Sequence, residues 1–241
     1  MEGLTLLDDN RYKVKKYHFT KTAAHAFATR FYLFKHNYQK AVEHANLALG
    51  ENLSNYIRPV NNRAFAAMEY LTLQQWYSST ENPTNLLLVE AVSSWGRDLA
   101  FNRFGFTAPI LGEIIFGDNI TTGRFAYPIY GGTDYSLNIP KFREHFVKGS
   151  LNAAYGIPYN MIPLLTADEL LLNRAEAYAR VKNYGKAIAD LNTFISRKVY
   201  YSPDQPVYEP NVHNVNSTRL NGFYGSLNLE ENIIKAALDF K

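Results

Sequence analysis

The stretch Thr166 to Arg197, TADELLLNRAEAYARVKNYGKAIADLNTFISR, carries the clearest helical pattern of the chain. Thr166 is an N-cap residue with Glu169 three positions on, so a capping box is expected, the glutamate returning a hydrogen bond to the cap amide. Leu170, Leu171, Ala175, Tyr178 and Ala179 then recur at three- and four-residue spacings, which places them on one stripe of a helix. Asn183 interrupts the pattern. Tyr184, Ala187, Ile188, Leu191 and Ile195 resume it on a second helix. Alanines at the crossing allow the two backbones to approach, and tyrosines fill the space beside them.

The same spacing occurs earlier in the chain. Tyr32-x5-Tyr38-x2-Ala41-Val42 matches Tyr178-x5-Tyr184-x2-Ala187-Ile188 at an offset of 146 residues. Two hairpins of this kind resemble tetratricopeptide-type units, in which a small residue is required at the helix crossing.

Thr20 or Thr22 caps a first helix that runs to about His36 and presents Ala24, Phe27, Ala28, Phe31 and Tyr32. Asn37 marks a turn, and a second helix from Tyr38 to Leu49 stops at Gly50, a C-cap position that favours positive φ. Residues 51–61 read as a loop. Arg63 to Tyr77 has helical spacing, and Leu86 to Val92 is an apolar run that suits either a buried strand or a helix start. Residues 95–163 hold nine of the fourteen glycines, so a long loop-rich segment with a few short strands is expected, and irregular chain of that length is commonly used for binding. Residues 201–226 read as another loop, and a last helix starts near Leu227 and continues to Lys241.

Composition excludes several classes of function. The chain has 241 residues, enough for one large or two small domains, and 25 basic against 22 acidic residues give a net charge of only +3. With no basic run, neither nucleic acid nor an anionic membrane is indicated as a partner. The absence of cysteine excludes disulfides, thiolate nucleophiles and zinc–thiolate sites. The first seventeen residues contain no apolar core of a signal peptide, and no stretch is long enough to span a bilayer. The six histidines include no i, i+4 pair for a helical metal site, and neither a phosphate-binding glycine loop nor a G-x-S-x-G elbow is present, so no cofactor is expected. Glu113, Asp118 and Asp134 are among the carboxylates of the loop-rich segment that a glycoside hydrolase reading would use, and that reading is disfavoured. Asp168, Glu169 and Glu176 are better explained by the helix N-terminus and by contacts to Arg174 or Arg180.

Taken together, the segments 20–49 and 164–199, with Arg174-Ala175-Glu176-Ala177 and Leu191-Asn192 inside the second, resemble the SusD/RagB family. Asn85-Leu86-Leu87-Leu88, Ser94-Trp95-Gly96-Arg97 and the C-terminal LNLEENIIKAALDFK are similar to it less specifically. The resemblance implies a mainly α fold: tetratricopeptide-like helical hairpins forming an α-α superhelical scaffold, with a long loop-rich insertion and a few short strands. The expected organisation is a single-domain fragment over 1–241, with hairpins at 20–49 and 166–199, an aromatic loop segment at 95–163 and the start of a C-terminal helix at 227–241. The family's signal peptide, lipidated cysteine and Glu/Arg-rich C-terminal motif are not found, and family members are about twice this length. The resemblance further implies a non-catalytic, lipid-anchored protein of the bacterial outer surface. It would bind an oligosaccharide or other nutrient and pass it to a SusC-like TonB-dependent transporter. A protein-interaction scaffold is the competing reading.

A sugar presents an apolar C–H face and a rim of hydroxyls, so a site for it combines aromatic rings with hydrogen-bonding groups. Aromatic residues make up 15% of the chain. By ring size and loop setting the candidates are Trp76, Tyr77, Trp95, Tyr127, Tyr130 and Tyr135, with Arg97, Asn102 and Arg103 as nearby donors and acceptors. Ligand residues vary within the family, so none is carried over by motif.

Overall fold

The computed structural model describes residues 2–94, 105–117, 119–132, 135–202, 204–205 and 207–241. Three short 3-10 turns lead into the first hairpin, α1 (Lys21–Phe34) and α2 (Tyr38–Leu49). The reading of Arg63 to Tyr77 as helical resolves into two pieces, α3 (Arg63–Ala66) and α4 (Tyr70–Tyr77). Next come β1 (Asn85–Val92), α5 (Ala108–Ile110) running into a π-helical turn at Leu111–Phe116, then β2 (Arg124–Phe125), β3 (Tyr130–Gly132), β4 (Tyr135–Asn138), β5 (Arg143–Val147) and β6 (Ile157–Thr166). The second hairpin is α6 (Ala167–Arg180) and α7 (Tyr184–Lys198), followed by β7 (Val199–Tyr200), α8 (Pro210–His213), α9 (Ser217–Tyr224) and α10 (Leu229–Phe240). The fold is mainly α with a few strands, as expected.

The ambiguous apolar run is a strand. β1 and β5 flank β6 in an antiparallel three-stranded sheet, with Asn85 opposite Thr166, Leu88 opposite Pro163 and Arg143 opposite Met161. The first half of β1 is buried, and the second half alternates between part-buried and exposed positions. β6 runs directly into α6 at Thr166, so the sheet and the central helix share one chain reversal.

The two hairpins share one turn. His36 and Lys182 both occupy the left-handed region, at φ 58° and 62°. Asn37 N–H donates to Tyr32 O at 2.9 Å, and Asn183 N–H donates to Tyr178 O at 2.8 Å. Asn37 and Asn183 then cap the next helices by accepting from Lys40 N–H and Lys186 N–H. The periodicity match over 146 residues is thus a repeat of backbone geometry as well as of sequence.

Packing departs from the single-stripe expectation. α6 is buried on nearly all sides: Leu172, Asn173, Arg174, Glu176 and Ala177 join the stripe residues in the interior. It lies between α2, α7 and α10, and it also touches α1. In α1 the expected face is shifted. Ala23, Ala24, Ala26, Ala28 and Thr29 are buried, whereas Phe27 and Phe31 are over 40% exposed. Only small side chains fit where α1 meets α2, so the phenylalanines are turned away toward the N-terminal 3-10 turns.

Three local expectations are corrected. Thr166 Oγ1 accepts from Glu169 N–H at 3.3 Å, but the glutamate does not complete the capping box, because its carboxylate is bound by Arg30 at 2.6 and 2.7 Å. Arg174 pairs with neither Asp168 nor Glu169. Its Nε and Nη2 donate to both oxygens of Asp190 at 2.8 Å, and Nη1 and Nη2 reach Asn46 Oδ1, Gly50 O and Glu51 O. The stretch read as a loop over 201–226 contains α8 and α9. Asn216 caps α9 by accepting from Arg219 N–H, and Gly225 ends it at φ +70°.

Two stability predictions follow from this core. Ala187 is fully buried at the α6–α7 crossing, so Ala187→Leu should lower stability by about 1–3 kcal/mol in chemical denaturation. Arg174→Ala leaves the buried Asp190 carboxylate unpaired and should cost about 3–5 kcal/mol, and Asp190→Asn in the same background should recover part of that loss.

Candidate functional site

α4 decides how the first candidates are arranged. Consecutive residues on a helix point about 100° apart, so Trp76 and Tyr77 face different spaces. Trp76 is part-buried and lines an outer cleft of about 360 Å³ with Asn55, Ser79, Glu81, Asn82 and Arg197. Tyr77 is 1% exposed and lines an inner cavity of about 340 Å³ with Tyr127, Arg58, Lys141 and Asp168. Arg58 separates the two, its guanidinium carbon 4.4 Å from the Tyr77 ring centre and 5.2 Å from that of Trp76. Cation–π contacts of this kind fix both rings against a buried charge.

Arg58 is held by its backbone as much as by its side chain. Its N–H donates to Asp168 Oδ1 at 3.0 Å, and its carbonyl accepts from Lys198 Nζ at 2.9 Å. Nη2 donates to Asn85 Oδ1 at 2.7 Å, and the Asn85 amide in turn donates to Tyr77 O and Ser79 O at the end of α4. A loop residue, the first turn of α6, the last turn of α7 and the start of β1 therefore meet at one point.

The electrostatics of that point are unusual. Lys198 is fully buried and donates to Asp168 Oδ2 at 2.8 Å. Burial lowers its pKa from 10.5 to about 8, a shift that the Asp168 carboxylate only partly offsets. Burial also holds the Lys141 ammonium below its ordinary value and pushes the Tyr77 and Tyr127 phenols up. Glu169, beside Asp168, is neutralised by Arg30, and Lys241 pairs with Glu176 at 3.0 Å.

Of the sequence candidates, Trp76, Tyr77, Tyr127 and Tyr130 are brought together in one satellite cluster with Phe65, Leu73 and Tyr200. Tyr130 packs edge-on to Tyr70 at 4.9 Å. The backbone of Tyr135 lies in β4 beside this cluster's strand β3. Trp95, Arg97, Asn102 and Arg103 lie outside the described residues, as do the carboxylates Asp118 and Asp134, while Glu113 is exposed. Arg58, Lys141 and Lys198 are not picked out by the sequence, and Asp168, expected at the helix N-terminus with Arg174 or Arg180 as its contact, is instead bound by the Arg58 N–H and Lys198. Lys198 had a signal: it continues the α7 apolar face one turn past Phe194, where a lysine is out of place. Arg58 had none, since it sits in a loop. Among the described residues no group of three potential metal ligands occurs, and no helix is long and apolar enough to cross a membrane.

No protein-family model matches the chain, and no curated protein sequence matches it. A SusD-like protein from Bacteroides fragilis matches in structure, with a TM-score of 0.52 at 13% identity. The match covers 99% of this chain and 56% of that one. The chain therefore has a SusD-like fold, and it spans little more than half the length of that structure.

The charge at the inner cavity has a measurable consequence. The folded-state pKa of Lys198 lies below its unfolded value, so between about pH 8 and 10.5 the unfolded chain holds a proton that the folded chain lacks. The contribution of this residue to stability is therefore least favourable below pH 8 and rises through that window. Lysine-selective NMR should show one ε-ammonium titrating near pH 8, absent in Lys198→Met; a midpoint near 10.5 would contradict the assignment.

Proposed function

We propose that the chain is the helical core of a non-catalytic binding protein that captures an oligosaccharide or other nutrient at the bacterial outer surface. It would deliver that ligand to a SusC-like TonB-dependent transporter, the anchor to the membrane being a lipid. The SusD-like fold over 99% of the chain carries this reading. The helical hairpins then serve as repeat units of a superhelical scaffold, and the loops and α4 supply the ligand surface.

The outer cleft is the surface that suits a sugar. Trp76 offers an aromatic ring, and Asn55, Glu81 and Arg197 surround it with amide, carboxylate and guanidinium groups. Among the described residues neither the Asn55 amide nor the Arg197 guanidinium has a side-chain hydrogen bond, so both are available to ligand hydroxyls. Binding here is stacking plus hydrogen bonding at equilibrium, with no bond broken. Tyr130 and Tyr135, with Trp95, Arg97, Asn102 and Arg103, remain proposed extensions of this surface, whereas Tyr127 turns to the inner cavity.

One observation favours the alternative of a protein-interaction scaffold. Phe19, Phe27 and Phe31 line an apolar groove of about 470 Å³ with Leu4 and Leu7, and Phe34 beyond it is 83% exposed. A partner protein covering this face would need no sugar.

A glycan panel read by tryptophan fluorescence separates the two. At least one glycan should quench the emission, and Asn55→Ala and Arg197→Gln should each weaken that response by about tenfold without changing thermal stability. A folded protein that responds to no glycan, yet forms a stable complex with a protein partner lost on Phe27→Ser and Phe31→Ser, would replace the sugar reading with the scaffold one.

A further inference from the structure

The inner cavity holds more positive charge than its own carboxylates balance. Arg58, Lys141 and Lys241 line it; Lys241 is paired with Glu176, and of the two carboxylates at the wall Glu169 is already taken by Arg30 and Asn173. Asp168 alone is left for Arg58 and Lys141, and it also serves the buried Lys198 behind it. It is held by the Arg58 N–H and Lys198, while the Arg58 Nε stands 3.9 Å away. Among the described residues Lys141 makes no ion pair. Burying cations without a counter-charge costs free energy, and such arrangements persist where something supplies the charge.

Two unsatisfied groups sit at the same place. Arg58 is 2% exposed and Tyr77 1%, and both line the cavity. Among the described residues neither Arg58 Nε nor the Tyr77 hydroxyl has a hydrogen-bond partner. Both are donors, and buried donors are almost always paired, with protein, water or ligand. The apolar part of the wall is formed by the Tyr127, Phe194 and Phe240 rings with Leu172 and Pro163. At about 340 Å³ the space lies at the small end of ligand pockets, roughly 300–1,000 Å³.

We infer that this cavity binds a small organic acid, its carboxylate received by Arg58, Lys141 and the Tyr77 hydroxyl and its ring or carbon body by the aromatic wall. The carboxylate accepts from the two unpaired donors and supplies the missing negative charge. Lys198 and Asp168 keep Arg58 in position by their hydrogen bonds to its main chain. The inference is independent of the Trp76 cleft, which opens on the other side of Arg58.

The test is calorimetric titration at neutral pH with sodium benzoate and sodium glucuronate, alongside the neutral benzamide and methyl glucoside and inorganic phosphate. One of the two acids should bind at one site per chain, at least about tenfold more tightly than its neutral counterpart and than phosphate. Lys141→Gln and Tyr77→Phe, which preserve shape while removing the charge or the hydroxyl, should each weaken the acid by about tenfold, and thermal melts should show both variants folded. The bound acid should also move the Lys198 ε-ammonium titration upward, which locates the site. Equal binding of acid and neutral analogue, phosphate binding as tight as the acid, unchanged affinity in both folded variants, or an unmoved Lys198 titration would each overturn the inference.

Discussion

The Arg174–Asp190 pair is the constraint on which the helical core depends. Arg174 sits mid-way along α6, 2% exposed, and its guanidinium donates five hydrogen bonds. Two of them clamp Asp190 on α7 and so fix the hairpin. The other three reach Asn46 Oδ1 and the Gly50 and Glu51 carbonyls, which leave α2 without partners in its own helix. A planar guanidinium can serve both tasks because its donors point in fixed, divergent directions, whereas a lysine could not. One side chain thus sets the distance and angle between the first hairpin and the second, although 124 residues separate Gly50 from Arg174.

The second hairpin carries a further set of charges at its open end. Asp168 in the first turn of α6 and Lys198 in the last turn of α7 are both used to hold the backbone of Arg58. Lys198 is placed as a cation at a helix C-terminus, where the helix dipole favours it, yet it is fully buried. The middle and the open end of one helix pair therefore do different work. At Arg174, in the middle, charge is balanced and fixes the scaffold. At the Asp168 end positive charge exceeds negative, and there the chain encloses a cavity instead of a packed core.

The strands and α4 are fitted around this frame. β6 delivers the chain into α6 at Thr166, and Asn85, its partner on β1, binds both Arg58 and the end of α4. Trp76 and Tyr77 are thereby tied to the same framework that holds the hairpins, with Arg58 between their rings. The result is a helical support to which α4 and the start of β1 are tied.

Much of the helical frame was legible in the sequence because its signals are local. Capping residues, the alanine and tyrosine spacing, and the left-handed turns beside Asn37 and Asn183 all act within a few residues, and so the two hairpins and their likeness could be read directly. α9 carried equally local signals in Asn216 and Gly225 but was hidden by the prolines around it. The site was legible only in part. Aromatic residues at 76, 77, 127 and 130 were read as a group, and they do meet in one cluster. Which face each ring turns, and that Arg58 stands between Trp76 and Tyr77, depends on contacts between residues far apart in the chain. The partners of Glu169, Arg174 and Asp168 were misread for the same reason: a charge near in sequence is one competitor among several, and burial gives the advantage to whichever partner the packed core brings into hydrogen-bond reach. Local chemistry in the sequence determined the hairpins and the aromatic residues around them; the tertiary structure alone decided which charges met, because only packing sets the distances on which their pairing depends.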